Sequence, residues 1–543
     1  MQEEILEALR NPFLFAYAYI LLTWCVVVSG SHLGDTVELE FKAYRLQQYD
    51  VIATSHGSRS WKVMFEAVSL DGNALRRCLV VSWRDLIGRD LNKVFSHAVG
   101  SVLIIIPADY RTLSVNDRAS FSNLERRLMT VNTDMAVYFA HQQPELNSLL
   151  ADVSVFSKRA PSAVKQLYNA IAGNTFQFSS SASISNNVIN PYSANVVGRL
   201  WSSDRSSPTI VFVAHYDSHS IVPALSKGSD SNGSGVVVLL ELLAIFSRFY
   251  ANVNARPKYN MVFIFSSGGK FNYQGSRQWI EDHIEKQIEE NIEVVICVDT
   301  VGKGKEMLMH VSKMPSDDAP AARLLKRLQA SSPVGRNVGI VSKKINLNAD
   351  SLAWEHERYS VRRLPAFTLS HLRNHNDLSR TSLLDTPEQL DQNAIEMNVR
   401  TIGEAVLAHI FKLRNERCPS NNATSACTLL KRDNAKPYRI AHWIEKFASS
   451  PRPLAGNNEK FVADLRDIVA KYTAGHATVQ PVSLVDVSLY GVLEDKLTAH
   501  RVKPAVFELL LAAVIALYLS VLYMCALNVH SFIEAAIVKL KKA

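Results

Sequence analysis

The sequence predicts an α/β protein whose central unit is a three-layer domain built on a mostly parallel sheet. Three observations carry this. Apolar runs rich in Val, Ile and Phe recur between residues 193 and 302 as SANVVGRLW, TIVFVAHYDS, MVFIF and EVVICVDTVG. Such runs are strands covered on both faces. The helical stretches GVVVLLELLAIFSRFY and RQWIEDHIEKQIEE alternate with them, as crossover connections between parallel strands require. Polar residues collect just after the strands, where an open sheet leaves its crevice.

In chain order, residues 1–30 read as a signal peptide or signal anchor. The apolar stretch PFLFAYAYILLTWCVVV, followed by SGS, is short for a span and lies at the N-terminus, but its leading segment MQEEILEALRN is not basic, so both readings stand. Residues 31–159 form an N-terminal α+β region whose clearest buried strand is VGSVLIIIPAD, and no chemistry motif appears there. The α/β domain occupies 160–413, opening on a helix with a glycine stop, APSAVKQLYNAIAG. Residues 414–503 read as a polar, partly helical connector. A single transmembrane helix is predicted over 504–529, around LLLAAVIALYLSVLYMCALNV, which is long enough for ~30 Å of hydrocarbon. The tail 530–543 carries Lys539, Lys541 and Lys542, so it is expected in the cytosol, with the bulk of the chain lumenal. Lys539 and Lys541 also match the spacing of a dilysine retrieval signal of endoplasmic-reticulum membrane proteins.

Composition bounds the function. With 47% hydrophobic and 20% charged residues over 543 positions, the chain is folded and long enough for more than one unit. The net charge of +8 is dispersed, with no basic run interleaved with aromatics, which argues against nucleic acid. Cys25 and Cys525 lie in the apolar segments, and Cys78 and Cys297 read as small core residues. Cys418 and Cys427 are candidates for a disulfide closing the loop CPSNNATSAC, where Asn422 begins a glycosylation sequon. Asn232 begins a second sequon; its other reading is a helix cap.

The candidate chemistry lies at strand ends. His215 and Asp217 end TIVFVAHYDS, the loop GSDSNGSG delivers Asp230, Asp299 ends EVVICVD, and Glu355-His356 precedes RRLPAFTLSH. Each has an ordinary alternative as a capping or satisfied polar pair. Their order together resembles the zinc aminopeptidase-like superfamily of the transferrin receptor and glutamate carboxypeptidase. That resemblance spans about 160–413. It implies relict metal-ligand positions at His215, Asp230, Asp299 and His356, with Asp217 orienting the histidine.

The same resemblance places a Glu-Glu pair, general base followed by ligand, on Gly269-Lys270 of the loop FSSGGKFNYQGS. Glycine can take no proton, and an ammonium group replaces a carboxylate. At ~4 Å and an effective dielectric of ~20, each unit of charge facing a dication is worth on the order of 8 kcal/mol before desolvation and relaxation. The resemblance therefore implies a pseudoenzyme with no catalytic residues, no metal and no cofactor. Lys270 is expected to pair with Asp230 or Asp299 in place of a metal. A phosphate loop is excluded, because Ile264 and Phe271 stand where its first glycine and its Ser/Thr belong. The alternative is an active, membrane-anchored zinc aminopeptidase recruiting Glu241 or Glu281.

Within the superfamily, VFVAHYDSHS, SDSNGSG, SSGGKFNYQGS and RRLPAFTLSHL make the chain similar to the nicastrin-related endoplasmic-reticulum membrane proteins. That resemblance implies a non-catalytic subunit partnered with the Nodal modulator protein and a small multi-pass membrane protein. It would act beside the translocon in multi-pass membrane protein biogenesis and in receptor assembly and signalling.

Overall fold

The computed structural model describes residues 38–541 except 53, 73–74, 97–98, 158–174, 181–187, 286–290, 350, 414–428, 431–433, 492 and 503–504. The N-terminal apolar segment, the expected helix APSAVKQLYNAIAG, Asn422, Cys418, Cys427 and Lys542 lie outside the described residues.

The apolar runs become strands Ala194–Leu200, Thr209–His215, Asn260–Ser266 and Ile292–Val298. They are the middle of an eight-stranded sheet ordered Asn337–Ser342, Glu306–Val311, Ala366–Ser370, Ile292–Val298, Thr209–His215, Asn260–Ser266, Ala194–Leu200, Ala477–Pro481. Thr209–His215 runs parallel to both its neighbours, and Ile292–Val298 parallel to Ala366–Ser370. Ala194–Leu200 pairs antiparallel on both sides, and Glu306–Val311 runs antiparallel to Ala366–Ser370. The sheet is thus mixed, parallel at its centre where His215 and Asp299 leave it.

Both faces are covered. On one, the helices Gly235–Ala251, Pro320–Ser331, Gln392–Ile410, Pro437–Phe447 and Glu459–Tyr472 share a single apolar core with the strands. On the other, Trp279 and Ile280 of helix Gln274–Glu285 and Tyr359 of helix His356–Val361 pack on Val213, Ile264 and Cys297. The helical stretch Ser229–Ala251 is apolar enough for a membrane, but 78% of its span-length window is buried. It is a core helix, apolar all round because it is covered all round.

The N-terminal unit is a closed seven-stranded sheet. Its circuit runs Glu38–Arg45, Glu494–Val502, Thr175–Ser180, Met64–Val68, Cys78–Ser82, Ser101–Ile106, Ala136–His141 and back. Cys78 and Cys297 are free and buried.

The described residues within 414–503 do not form a connector. Ile440, Trp443, Phe447, Val462, Leu465 and Val469 join the core of the central domain. Ala477–Pro481 extends the main sheet, and Glu494–Val502 closes the N-terminal one. These pairings are long-range and leave no local signature. The apolar helix also differs from expectation in length. It runs unbroken from Ala505 to Leu540, 36 residues, or roughly 54 Å at ~1.5 Å per residue. Leu509, Leu517, Tyr523 and Met524 on it are exposed.

Candidate active site

Several chain segments converge at the C-terminal ends of the central strands. His215 is fully buried, its Nδ1 3.2 Å from Glu355 Oε2 and 3.1 Å from Asn232 Nδ2. Glu355 Oε1 in turn accepts from Ser266 Oγ and Ser276 Oγ, each at 2.7 Å. Asp217 does not reach His215's ring nitrogens. It accepts the backbone N–H groups of Gly269 (2.7 Å) and Lys270 (3.0 Å), and so pins the glycine turn.

That turn lies flat on the histidine. A Cβ built on Gly269 would stand 2.1 Å from His215 Cγ and 2.4 Å from its Cδ2. The backbone occupies the space that a side chain at 269 would need.

The two buried aspartates Asp230 and Asp299 are held by cations. Asp230 Oδ2 accepts from His371 Nε2 at 2.9 Å and lies 3.7 Å from Lys303 Nζ, while Oδ1 accepts from Gly302 N at 2.7 Å. Burial alone would raise the Asp230 carboxyl, but the His371 bond and the His371 and Lys303 charges hold it below the ordinary carboxylate range. Asp299 is ion-paired with Arg380 and accepts from Thr300 Oγ1 at 2.7 Å. Burial opposes its ionisation too, yet Arg380, His215 and Lys270 hold its carboxyl far below the usual range. Arg380 is fixed by the carbonyls of Ala353 and His375, each at 3.2 Å, and lies 4.6 Å above the Trp354 ring.

Lys270 does not pair directly with either aspartate. Its Nζ donates to Ser231 Oγ at 2.6 Å and to the Arg380 carbonyl at 3.0 Å. Burial, with the Arg380 charge, brings its ammonium down to about 8 against the pull of Asp299, Asp217 and Asp385. Arg380 therefore takes the role expected of Lys270. Asp385 underpins the loop, accepting from Asp230 N at 2.9 Å and Ser231 N at 2.8 Å; burial and Asp230 push its carboxyl up to about 6.

His356 turns elsewhere. Its Nδ1 meets Thr368 Oγ1 at 2.9 Å, and burial pushes its imidazole down to about 3. Its neighbour Glu355 is the residue that reaches His215. Arg452, fully buried and from the segment expected as a connector, donates to the carbonyls of Tyr216 (2.7 Å) and Gly228 (3.1 Å), tying the histidine strand to the Asp230 loop.

Asn232 joins the same site. It is fully buried with Nδ2 turned to His215, and the Gly235–Ala251 helix has no side-chain cap. An amide nitrogen inside the site can carry no glycan in the folded chain. We predict an unmodified Asn232, read by glycopeptide mapping of protein made in eukaryotic cells. A glycan there would contradict this packing.

The donor set does not suit a divalent metal. Asp230 and Asp299 are both engaged by cations, His215 and His356 face Glu355 and Thr368, and an ammonium group stands among them. Among the described residues no three or more His, Cys, Asp or Glu are grouped to hold a metal ion. Glu241, fully buried, is bound by Arg439 Nε at 2.6 Å and Lys436 N at 3.0 Å, and Glu281 pairs with Arg277 at 2.9 Å. Neither carboxylate is available to the site. Arg380, His371, Asp385 and Lys303 were missed by the sequence reading. The signal that finds them is charge balance: two buried aspartates without a metal need cations, and the loop after Ala366–Ser370 supplies two.

Fold and site together define a peptidase-like domain, and the pattern of Peptidase family M28 matches residues 195–406. Over 565 aligned positions covering 100% of both chains, the protein is 40% identical to nicalin of Caenorhabditis elegans. It is 34% identical to the BOS complex subunit NCLN of Homo sapiens, covering 92% of each. The chain belongs to the nicalin family. Its fold is similar to the crystal structure of the gamma-secretase component nicastrin, with a TM-score of 0.54 at 9% identity, covering 85% of this chain and 99% of that one.

Proposed function

We propose that this protein is a non-catalytic subunit of an endoplasmic-reticulum membrane complex, its peptidase-like fold serving as a lumenal interaction body. The observation that carries the reading is the filling of the strand-end site. The Gly269 backbone lies on His215, and Arg380 satisfies the buried Asp299. The name of the vertebrate relatives, BOS complex subunit, supports assembly into a membrane complex. The family resemblance supports the Nodal modulator protein and a small multi-pass membrane protein as partners, and work beside the translocon on multi-pass membrane proteins and receptor assembly. The apolar helix Ala505–Leu540, exposed at Leu509, Leu517, Tyr523 and Met524, supports a C-terminal anchor.

Two outcomes test this. The protein purified in mild detergent is expected to contain far less than one zinc per chain and to release no amino acid from aminoacyl substrates. Stoichiometric zinc by elemental analysis, with turnover abolished by His215→Ala, would sink the reading. For topology, Asn422 is expected to be glycosylated and a tag placed after Ala543 to be digested by protease added to intact microsomes. A protected tag contradicts the orientation, and an Asn422→Gln variant of unchanged mass contradicts the lumenal placement of that loop.

A further inference from the structure

Helix Gly235–Ala251 leaves the strand-end site and runs back along the sheet, so its last turn lies at the opposite end, where strand Asn260–Ser266 begins. The end of helix Gln392–Ile410 and the first half of Pro320–Ser331 come to the same place. Phe249 meets Phe411 with ring centroids 6.3 Å apart, and Tyr259 meets His409 at 5.9 Å. Arg327 donates to His409 Nδ1 at 2.5 Å and to the Leu413 carbonyl at 3.4 Å. His409 Nε2 then carries the proton and donates it to Glu293 Oε1 at 3.0 Å, and Arg323 reaches the same carboxylate at 3.2 Å. Three helix segments are thus tied into one surface.

The charge of that surface is one-sided. Residues 248–258 bring Arg248, Arg256 and Lys258, residues 320–331 bring Arg323, Lys326 and Arg327, and residues 405–413 bring Lys412, while none of these stretches contains Asp or Glu. Glu293, at the foot of strand Ile292–Val298, is already bound by His409 and Arg323. The adjoining loops add Asp317, Asp318 and Asp204 with Arg205, and Asp204 is taken by Ser206 N (2.9 Å) and Oγ (2.7 Å). Even with these the cations are in clear excess. Arg248, Lys258, Lys326 and Lys412 are exposed and form no ion pair among the described residues. Among them stand the apolar side chains of Val253, 76% exposed, Leu413, 41%, and Phe411, 38%. An apolar centre holding an aromatic ring, with arginines about it, is the anatomy of a protein–protein interface.

We propose that this surface docks an acidic polypeptide segment of a lumenal partner, its carboxylates meeting Arg248, Lys258, Lys326 and Lys412 and its apolar side chains covering Phe411, Leu413 and Val253. The proposal rests on the subunit reading and adds to it the face used and the chemistry of the partner. Uncompensated cations gathered at one end of a domain draw in and orient an acidic partner, and the apolar centre holds it once seated. The surface lies at the far end of the sheet from His215, so docking needs nothing of the filled site.

The test uses the full chain in nanodiscs of phosphatidylcholine, with empty nanodiscs as the blank, and a fluorescein-labelled peptide alternating Glu and Leu, read by anisotropy. Saturable binding is expected, weakened about tenfold by Arg248→Glu with Lys326→Glu and weakened by ~0.5 M salt. Lys258→Glu with Lys412→Glu, and Phe411→Ser alone, are expected to weaken it independently, so one variant that fails to fold does not decide the outcome. The same peptide with Lys for Glu is expected not to bind. Equal binding of the two peptides, no binding at millimolar peptide, or unchanged binding by either charge-reversed pair at the wild-type melting midpoint would each overturn the proposal. Displacement of the peptide by inorganic phosphate or by phosphatidylserine vesicles as readily as by unlabelled peptide would assign the surface to small anions or to an anionic membrane, and overturn it as well. Zinc content and turnover are read on the same preparations. No peptide binding, with zinc and turnover both absent, removes the docking surface and leaves the subunit reading standing.

Discussion

Gly269→Ala is expected to destabilise the protein by about 3 kcal/mol, and Gly269→Glu by more. The new Cβ would fall 2.1 Å from His215 Cγ and 2.3 Å from its Cβ, far inside any tolerated contact. Neither side can yield cheaply. The imidazole is fully buried with Nδ1 held between Glu355 and Asn232, and the Gly269 backbone is anchored by its N–H to Asp217. Overpacking of a rigid core costs ~1–3 kcal/mol and more when the backbone must shift. The midpoint of thermal unfolding in detergent should fall by several degrees. It follows that the double change Gly269→Glu, Lys270→Glu, which rebuilds the carboxylate pair in sequence, restores no zinc binding. A midpoint unchanged by Gly269→Ala would show that the turn does not lie where we describe it.

Arg380→Met is expected to cost about 3–5 kcal/mol at neutral pH, the range for removing one partner of a buried pair. Asp299 would be left inside the domain with its negative charge opposed only by more distant groups. The pH dependence separates this from a mere packing loss. In the native protein the folded-state carboxyl of Asp299 lies far below its unfolded value, so its stabilisation is present above about pH 4 and is lost only as pH falls toward the folded value. With Arg380 gone, burial raises that carboxyl instead. The variant should then regain stability relative to wild type as pH falls from 7 to 5. Asp299→Asn added to Arg380→Met should recover much of the loss at pH 7, since a neutral amide needs no counter-charge. A deficit that is flat with pH and unrelieved by Asp299→Asn would remove the ion pair from the account.

The central strands and the helix Gly235–Ala251 were legible because each is a local pattern: a β-rich apolar run, or a helix flanked by a small-residue loop. The gathering of His215, Asp217 and Asp299 was legible as well, since residues ending adjacent parallel strands meet at one edge, and the loop that leads into the next helix brings Asp230 to the same edge. What each residue does there was not. Glu355 and His356 are neighbours in sequence, and only the direction of the short helix His356–Val361 decides which one faces His215. Arg380 and Asp385 sit in a loop with no period, and their roles depend on a counter-charge 81 and a backbone 155 residues away. The segment 414–503 reads as polar because its helices bury one face only. Its strands Ala477–Pro481 and Glu494–Val502 are short and alternating, and nothing local names their partners.

Closure of the N-terminal sheet sets a schedule on biosynthesis. Glu38–Arg45 is flanked by Ala136–His141 on one side and by Glu494–Val502 on the other, so the first described strand waits for nearly the last. At ~5–20 residues per second, the wait is on the order of 20 seconds to a minute and a half. Through that interval the nascent unit presents two unpaired edges, a state open to non-native pairing. The strand that ends it lies only two residues ahead of the apolar helix at Ala505. Completing the barrel and delivering that helix are therefore nearly one event in time, and any chain released before Glu494 leaves the ribosome with its first sheet still open.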